Sequence, residues 1–175
     1  LRVSAPLHSA ALCPRFPHFA QFPWNFRVSF CPFLSLCFLL LFPFCSKKHQ
    51  NKKWPYFKQL IVKLKEHYKN KYPILIAPGP NEIKEAIILN AKVVTDKNKS
   101  IDIKTLISLI SRAKFIIAND TGPAHIASHL DKQGLVLFGS HTTAKKVSIE
   151  NFNFKALSVQ NLKDLSVEDV IKEVE

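Results

Sequence analysis

The chain has 175 residues, enough for one ordinary domain, and a formal net charge of +12. Its lysines are scattered, with only short runs such as KKHQNKK (47–53). That pattern describes a solvated basic surface, or attraction to phosphate-bearing ligands or an anionic membrane surface, and argues against a nucleic-acid-binding stripe. The four cysteines (Cys13, Cys31, Cys37, Cys45) lack CxxC spacing and clustered histidine partners, which speaks against a zinc framework.

Composition changes sharply near Ser46. Residues 1–46 hold nine of the fourteen Phe and all four Cys, and no Lys, Asp, Glu or Gly; beyond Ser46 the chain is rich in Lys and Asn. The expected division is an irregular Phe/Pro/Cys-rich segment over 1–37, a linker or a non-native stretch, followed by a folded domain over 38–175. With no Met and a leading Leu, the chain reads as a fragment. The stretch VSFCPFLSLCFLLLFPFC (28–45) has about the length a bilayer needs and is followed by basic residues, so a membrane anchor is one reading. The other is a buried strand, FLLLF (38–42), favoured by Pro32 and Pro43 and by the helix that follows the basic loop.

In chain order, FLLLF is the first strand and 44–53 a loop. Trp54 and Pro55 open a helix with Phe57, Leu60, Ile61, Leu64 and Tyr68 on one stripe. YPILIA (72–77) is the second strand, PGPNE a turn, Glu82–Leu89 a short helix and AKVVT (91–95) a third strand. Asp102 begins a helix whose Ile103, Leu106, Ile107 and Ile110 share a face. KFIIA (114–118) is a strand that runs into Asn119-Asp120, and a helix starts near Pro123, capped by Asp120 or Thr121. GLVLFG (134–139) is another strand. SVED opens the last helix from Ser166, with a capping-box pattern and Val167, Val170, Ile171 and Val174 as its stripe.

Alternating strands and helices, with fully apolar strands, predict a Rossmann-like α/β fold: a parallel sheet with helices on both faces. Ligands bind such sheets at the carboxyl ends of the strands. That places loops 44–53, 78–82, 119–125 and 139–143 on one rim.

ANDTGPAH (118–125) is the most informative of these loops. Gly122 lets a ligand approach the backbone, the helix start favours an anion, and His125 stands in the first turn. The set suits a diphosphate, although a plain capped helix has the same composition. His125 and His129 have metal-ligand spacing but no third ligand, and Asp-Thr-Gly in a βα setting does not suit an aspartic protease. On the other loops, Ser46 and the lysines after it offer a hydroxyl and point charges, and Glu82 stands where a carboxylate can accept from ribose hydroxyls.

The series FPFCSKKHQNKKWP, APGPNE, ANDTGPAHIA and VLFGSHT resembles the carboxyl-terminal half of the ADP-heptose:lipopolysaccharide heptosyltransferases, over roughly Phe38 to Glu175. The resemblance implies the carboxyl-terminal lobe of a GT-B glycosyltransferase of family nine. It implies donor-binding roles for Ser46, Lys52, Glu82, Asp120, Thr121, Gly122 and His125, with Lys52 and Asp120–His125 at the diphosphate and sugar and Glu82 at the ribose. It implies a nucleotide-sugar donor such as ADP-heptose, a lipid-linked saccharide acceptor, and no cofactor, metal or nucleic acid. It also implies a cytoplasmic site peripheral to the inner membrane, a placement that the lack of a clear signal peptide favours. The general base belongs to the amino-terminal lobe in this family; residues 1–37 contain no Asp or Glu, so the chain is expected to bind donor without transferring sugar alone. Two other functions stay open: a membrane-anchored nucleotide-binding module, and a different sugar-nucleotide enzyme such as an epimerase.

Overall fold

The computed structural model of the chain describes residues 37–174. The expected irregular segment 1–37 therefore lies outside the described residues except for Cys37, as do residues 28–36 of the apolar stretch.

Six parallel strands form one sheet: β1 (Leu39–Phe42), β2 (Ile74–Ile76), β3 (Lys92–Val93), β4 (Phe115–Asn119), β5 (Gly134–Phe138) and β6 (Phe154–Ser158). Their order is β3-β2-β1-β4-β5-β6. This is the doubly wound arrangement of dinucleotide-binding folds. β1 is central: Leu40 pairs with Leu75 on one side and with Ile116 on the other. The FLLLF run is thus a core strand from Leu39 to Phe42. Among the described residues no helix is long and apolar enough to cross a membrane.

Side chains alternate along each strand, so the sheet divides two cores. On one face Leu39, Leu41, Ile74, Ile76, Ile117, Leu135 and Leu137 pack under helix α1 (Phe57–His67) and helix α6 (Val167–Lys172), with Ala86 of α2 (Ile83–Ile88). On the other, Leu40, Phe42, Ile116, Ala118, Val136 and Phe138 pack under α3 (Ile103–Arg112), α4 (Gly122–His129) and the short α5 (Ala144–Val147). Strands covered on both faces are built mainly from apolar residues, which explains the runs LLLF and GLVLF.

The α1 stripe is buried as expected at Phe57, Leu60, Ile61 and Leu64, although the helix begins two residues beyond Pro55. In α6 the Ser166 hydroxyl accepts from the Asp169 amide, so the predicted cap forms. The shared face of α3 is buried only in part. Only Ile110 of the four is buried, while Ile103 and Ile107 are exposed. The helix turns Leu106, Leu109 and Ile110 to the core instead. Strand β6 and helix α5 were not anticipated. β6 sits at the sheet edge, and an exposed Lys155 breaks its apolar run.

Candidate functional site

The sheet's strand order reverses between β1 and β4. β2 and β3 lie on one side of β1, and β4, β5 and β6 on the other. The loops that leave β1 and β4 therefore diverge at their carboxyl ends and open the crevice where such folds take ligands. Asn119, the last residue of β4, joins those two loops. Its fully buried side chain accepts from the Trp54 backbone amide at 3.1 Å and donates to the Pro43 carbonyl at 2.8 Å. Trp54 is buried in turn, and its indole N–H donates to the Leu165 carbonyl at 3.0 Å. These bonds hold the loop from Pro43 to Trp54, which contains a 3-10 helix over Lys47–Lys52, against the end of β4.

Lys52 rides on that loop and meets Asp120. Its Nζ lies 2.6 Å from Asp120 Oδ2. His141, in the loop after β5, places Nε2 3.1 Å from the same oxygen. His125 of α4 places Nε2 3.4 Å from the other carboxylate oxygen. One carboxylate, 3% exposed, is thus faced by three groups able to carry positive charge. Burial pushes the Asp120 carboxyl up, but Lys52 and then His141 outweigh it and hold it below the usual carboxylate range.

Helix α4 begins at Gly122 beside this cluster, with Pro123 in its first turn. The expected side-chain cap does not form. Thr121 stands at the cap position, but its hydroxyl donates back to the Asn119 carbonyl at 3.2 Å, and Asp120 is taken by its cationic partners. No side chain of the cap residue thus covers the positive end of the helix dipole at the crevice. Gly122 is exposed, and apart from its chain neighbours and the backbone of its own helix no atom of the chain lies within 4 Å of where its Cβ would stand. Nothing in the chain's own packing requires a glycine there; the open space lies on the surface beside the helix start.

Ser46 and Glu82 fall elsewhere on the rim. They line a cavity of about 330 Å³ between the β1 and β2 loops, with Gln50, Lys53, Gly79 and Glu85. Glu82 is partly committed: its Oε2 accepts from the Gly79 amide at 2.7 Å, which shapes the PGPNE turn. Lys53 pairs with Glu85 at 2.7 Å rather than with Asp120. A second cavity, of about 380 Å³, lies across the β5 and β6 ends and is lined by Asn51, Lys53, Ser140, His141, Gln160 and Lys163.

The structure thus brings Lys52, Asp120 and His125 together, sets Thr121 and Gly122 against them at the start of α4, and groups Ser46 with Glu82 in a neighbouring cavity. His141 and Asn119 are the residues that sequence reasoning passed over. The signal for His141 was a histidine two residues beyond the end of a strand on the ligand rim. Among the described residues no group of three or more His, Cys, Asp or Glu is placed to hold a metal ion.

The profile of glycosyltransferase family 9 (heptosyltransferase) matches residues 28–174. No curated protein sequence matches the chain. Among solved structures, E. coli heptosyltransferase WaaC with ADP superposes with a TM-score of 0.70 at 18% identity, over 80% of this chain and 44% of that one. E. coli ADP-heptose lps heptosyltransferase II gives 0.64 at 15% identity, over 80% of this chain and 46% of that one. The UDP-GlcNAc 2-epimerase of Methanocaldococcus jannaschii gives 0.56 at 17% identity, over 79% and 38%. At these identities the likeness is one of fold, and the chain spans less than half the length of each of these proteins.

Proposed function

The chain belongs to glycosyltransferase family 9, the heptosyltransferases, and from that premise we propose that residues 38–175 are the donor-binding lobe of a GT-B enzyme that transfers a heptose or related sugar from a nucleotide-sugar to a lipopolysaccharide core acceptor. The observation that carries the reading is the Asp120 cluster at the switch point. An uncapped helix start, an exposed glycine and three cation-capable side chains converge where the fold takes ligands.

In this reading the donor's diphosphate sits at the first turn of α4. Thr121 and Gly122 let it approach the backbone, and Lys52 and His125 offset its charge. The Ser46–Glu82 cavity takes the nucleoside, with Glu82 accepting from ribose hydroxyls. WaaC has been solved with ADP and with ADP-2-deoxy-2-fluoro heptose, which supports an adenosine diphosphate sugar as the donor. During transfer the bond from the sugar to the diphosphate breaks as an acceptor hydroxyl attacks. Charge grows on the leaving diphosphate, where the helix dipole, Lys52 and His125 stabilise it without a metal ion. The acceptor and the general base that takes the hydroxyl proton belong to a second, amino-terminal lobe, so this chain alone binds donor and does not transfer. The assembled enzyme works at the cytoplasmic face of the inner membrane, where lipid-linked acceptors are made.

The test is thermal unfolding with ADP, UDP, GDP and CMP, each at millimolar concentration, for the chain and for Asp120→Ala and His125→Ala. A ligand at about 100 times its Kd adds about 2.7 kcal/mol. Stabilisation by ADP alone, lost in both variants, is the expected result. Stabilisation by UDP instead would favour an epimerase-like donor, and none from any nucleotide would overturn the reading. Sugar transfer to a lipid A–Kdo acceptor by this chain alone would refute the division of labour between lobes.

A further inference from the structure

His141 is built into the site in a way that the donor reading leaves unexplained. Its side chain is 5% exposed, and its ring lies nearly parallel to Phe138 at 5.8 Å. Nε2 meets Asp120, while Nδ1 is buried with no hydrogen-bond partner. A buried polar atom without a partner is costly and calls for a reason. Beside an ionised carboxylate the ring presents an N–H on Nε2, so it faces Asp120 as a donor and spends none of Nδ1's hydrogen-bonding capacity. The chain thus accepts an orphaned Nδ1 so that a fixed donor faces Asp120.

Lys52 already satisfies the same oxygen, at a shorter distance. Two donors on one carboxylate oxygen are redundant only while Lys52 stays. The lysine's side chain is 25% exposed, on a long flexible stem, whereas His141 is packed in place. A diphosphate at the start of α4 carries more negative charge than Asp120 and lies beside it, so it competes for the ammonium group. Once Lys52 turns away, a carboxylate 3% exposed keeps only its histidines. Of these, His125 is 36% exposed, sits at the longer distance of 3.4 Å, and itself faces the incoming diphosphate. The charged groups around His141 are Asp120, Lys52 and His125 at the carboxylate, and Lys53 and Lys163 along the cavity its ring lines.

We propose that His141 is a positioning residue that holds Asp120 in place when the donor diphosphate draws Lys52 away. The inference rests on the donor reading. It assigns the loop after β5 a part in nucleotide binding: His141 touches no ligand and acts through Asp120.

The test is isothermal titration of the full chain with ADP, comparing wild type, His141→Phe, His141→Gln and Lys52→Ala. His141→Phe keeps a stacking ring on Phe138 and removes the donor. It should weaken ADP about ten- to a hundred-fold, the range for a lost hydrogen bond to a charged group. His141→Gln, which restores an N–H donor, should recover most of that loss, as a purely packing role would not allow. Urea unfolding without ligand gives the second readout: His141→Phe should destabilise the chain more in the Lys52→Ala background than alone, because Asp120 then keeps only the longer contact to the partly exposed His125. If wild type binds ADP and His141→Phe binds it equally, or if the two substitutions are additive in stability, His141 has no such role. If wild type fails to bind ADP, the donor reading itself falls and this inference with it. Should His141→Phe fail to fold, nitrogen NMR of the wild-type imidazole decides: the proton stays on Nε2 with and without ADP if the inference holds, and a move to Nδ1 on binding overturns it.

Discussion

Replacing Asn119 with alanine tests whether the ligand crevice is held together as described. The side chain is fully buried and makes two bonds, one to the Trp54 amide and one to the Pro43 carbonyl. Alanine removes both partners at once and leaves a buried donor and a buried acceptor. Each such group costs about 1–3 kcal/mol, so the expected loss is about 2–6 kcal/mol, with the low end reached if water fills the vacated space. That is a large share of a typical domain's stability of about 5–15 kcal/mol. Urea unfolding followed by tryptophan fluorescence is a direct assay, since Trp54 is one of the affected groups and the midpoint should fall with little change in slope. Asn119→Leu, which keeps most of the volume without the hydrogen bonds, should lose a similar amount. A loss below about 1 kcal/mol in both variants would refute the argument that these two bonds tie β1's loop to β4. Where the variant is still folded, its ADP affinity should fall as well, because Lys52 rides on the released loop.

Three further outcomes follow from the same geometry. Gly134→Ala should destabilise strongly, by about 3 kcal/mol or more in thermal unfolding, because its Cβ would stand 2.4 Å from the Phe154 ring and 2.6 Å from the Ile116 carbonyl oxygen; Phe154→Leu beside it should rescue only part, since the backbone contact remains. Gly122→Ala should leave stability within about 0.5 kcal/mol, since the new methyl meets nothing beyond its own helix and chain neighbours, yet weaken ADP binding measured by calorimetry. Asp120 has a folded pKa below its unfolded value, so it binds fewer protons when folded. Its contribution is present above about pH 4 and lost as pH falls through the lower folded value. Acid titration of wild type against Asp120→Asn should therefore show wild type losing its advantage in that acid range, and parallel curves would contradict the assignment.

Much of the sheet was legible because strands covered on both faces are apolar except where a buried polar group is fully hydrogen-bonded, as Asn119 is at the end of β4. GLVLF read as a strand directly, LLLF only against a membrane-anchor alternative that its pairing with β2 and β4 decides, and Ser166 and Asp102 cap their helices through local bonds that a short window reveals. β6 was hidden because an edge strand buries one side poorly, and Lys155 looks like loop. The buried side of α3 was not legible because Ile103 and Ile107 are as apolar as Leu109, and only the neighbouring elements decide which way a short helix turns. In the site, Asp120 and His125 stood out from the residues of ANDTGPAH at a helix start, and Lys52 was picked from its neighbouring lysines only through motif resemblance. The bonds that unite them were not visible: Asn119 acts on partners 65 and 76 residues away, and His141 on one 21 away. The expected cap by Asp120 or Thr121 did not form either: Asp120 pairs with a lysine 68 residues away, and the Thr121 hydroxyl turns back to the Asn119 carbonyl.

The bond from Trp54 to Leu165 spans 111 residues, and the Tyr56 hydroxyl reaches the Lys163 carbonyl across 107. On the ribosome, the segment bearing Lys52 therefore emerges long before the residues that brace it. Until Leu165 has left the exit tunnel, the indole N–H has no partner, and the apolar stripe of α1 lacks the cover of α6. Such distant closure slows folding and leaves that face exposed to chaperones and proteases in the interval. A nascent chain arrested before Leu165 should be open to limited proteolysis around Trp54 even when the β1–β4–β5 portion of the sheet has already formed.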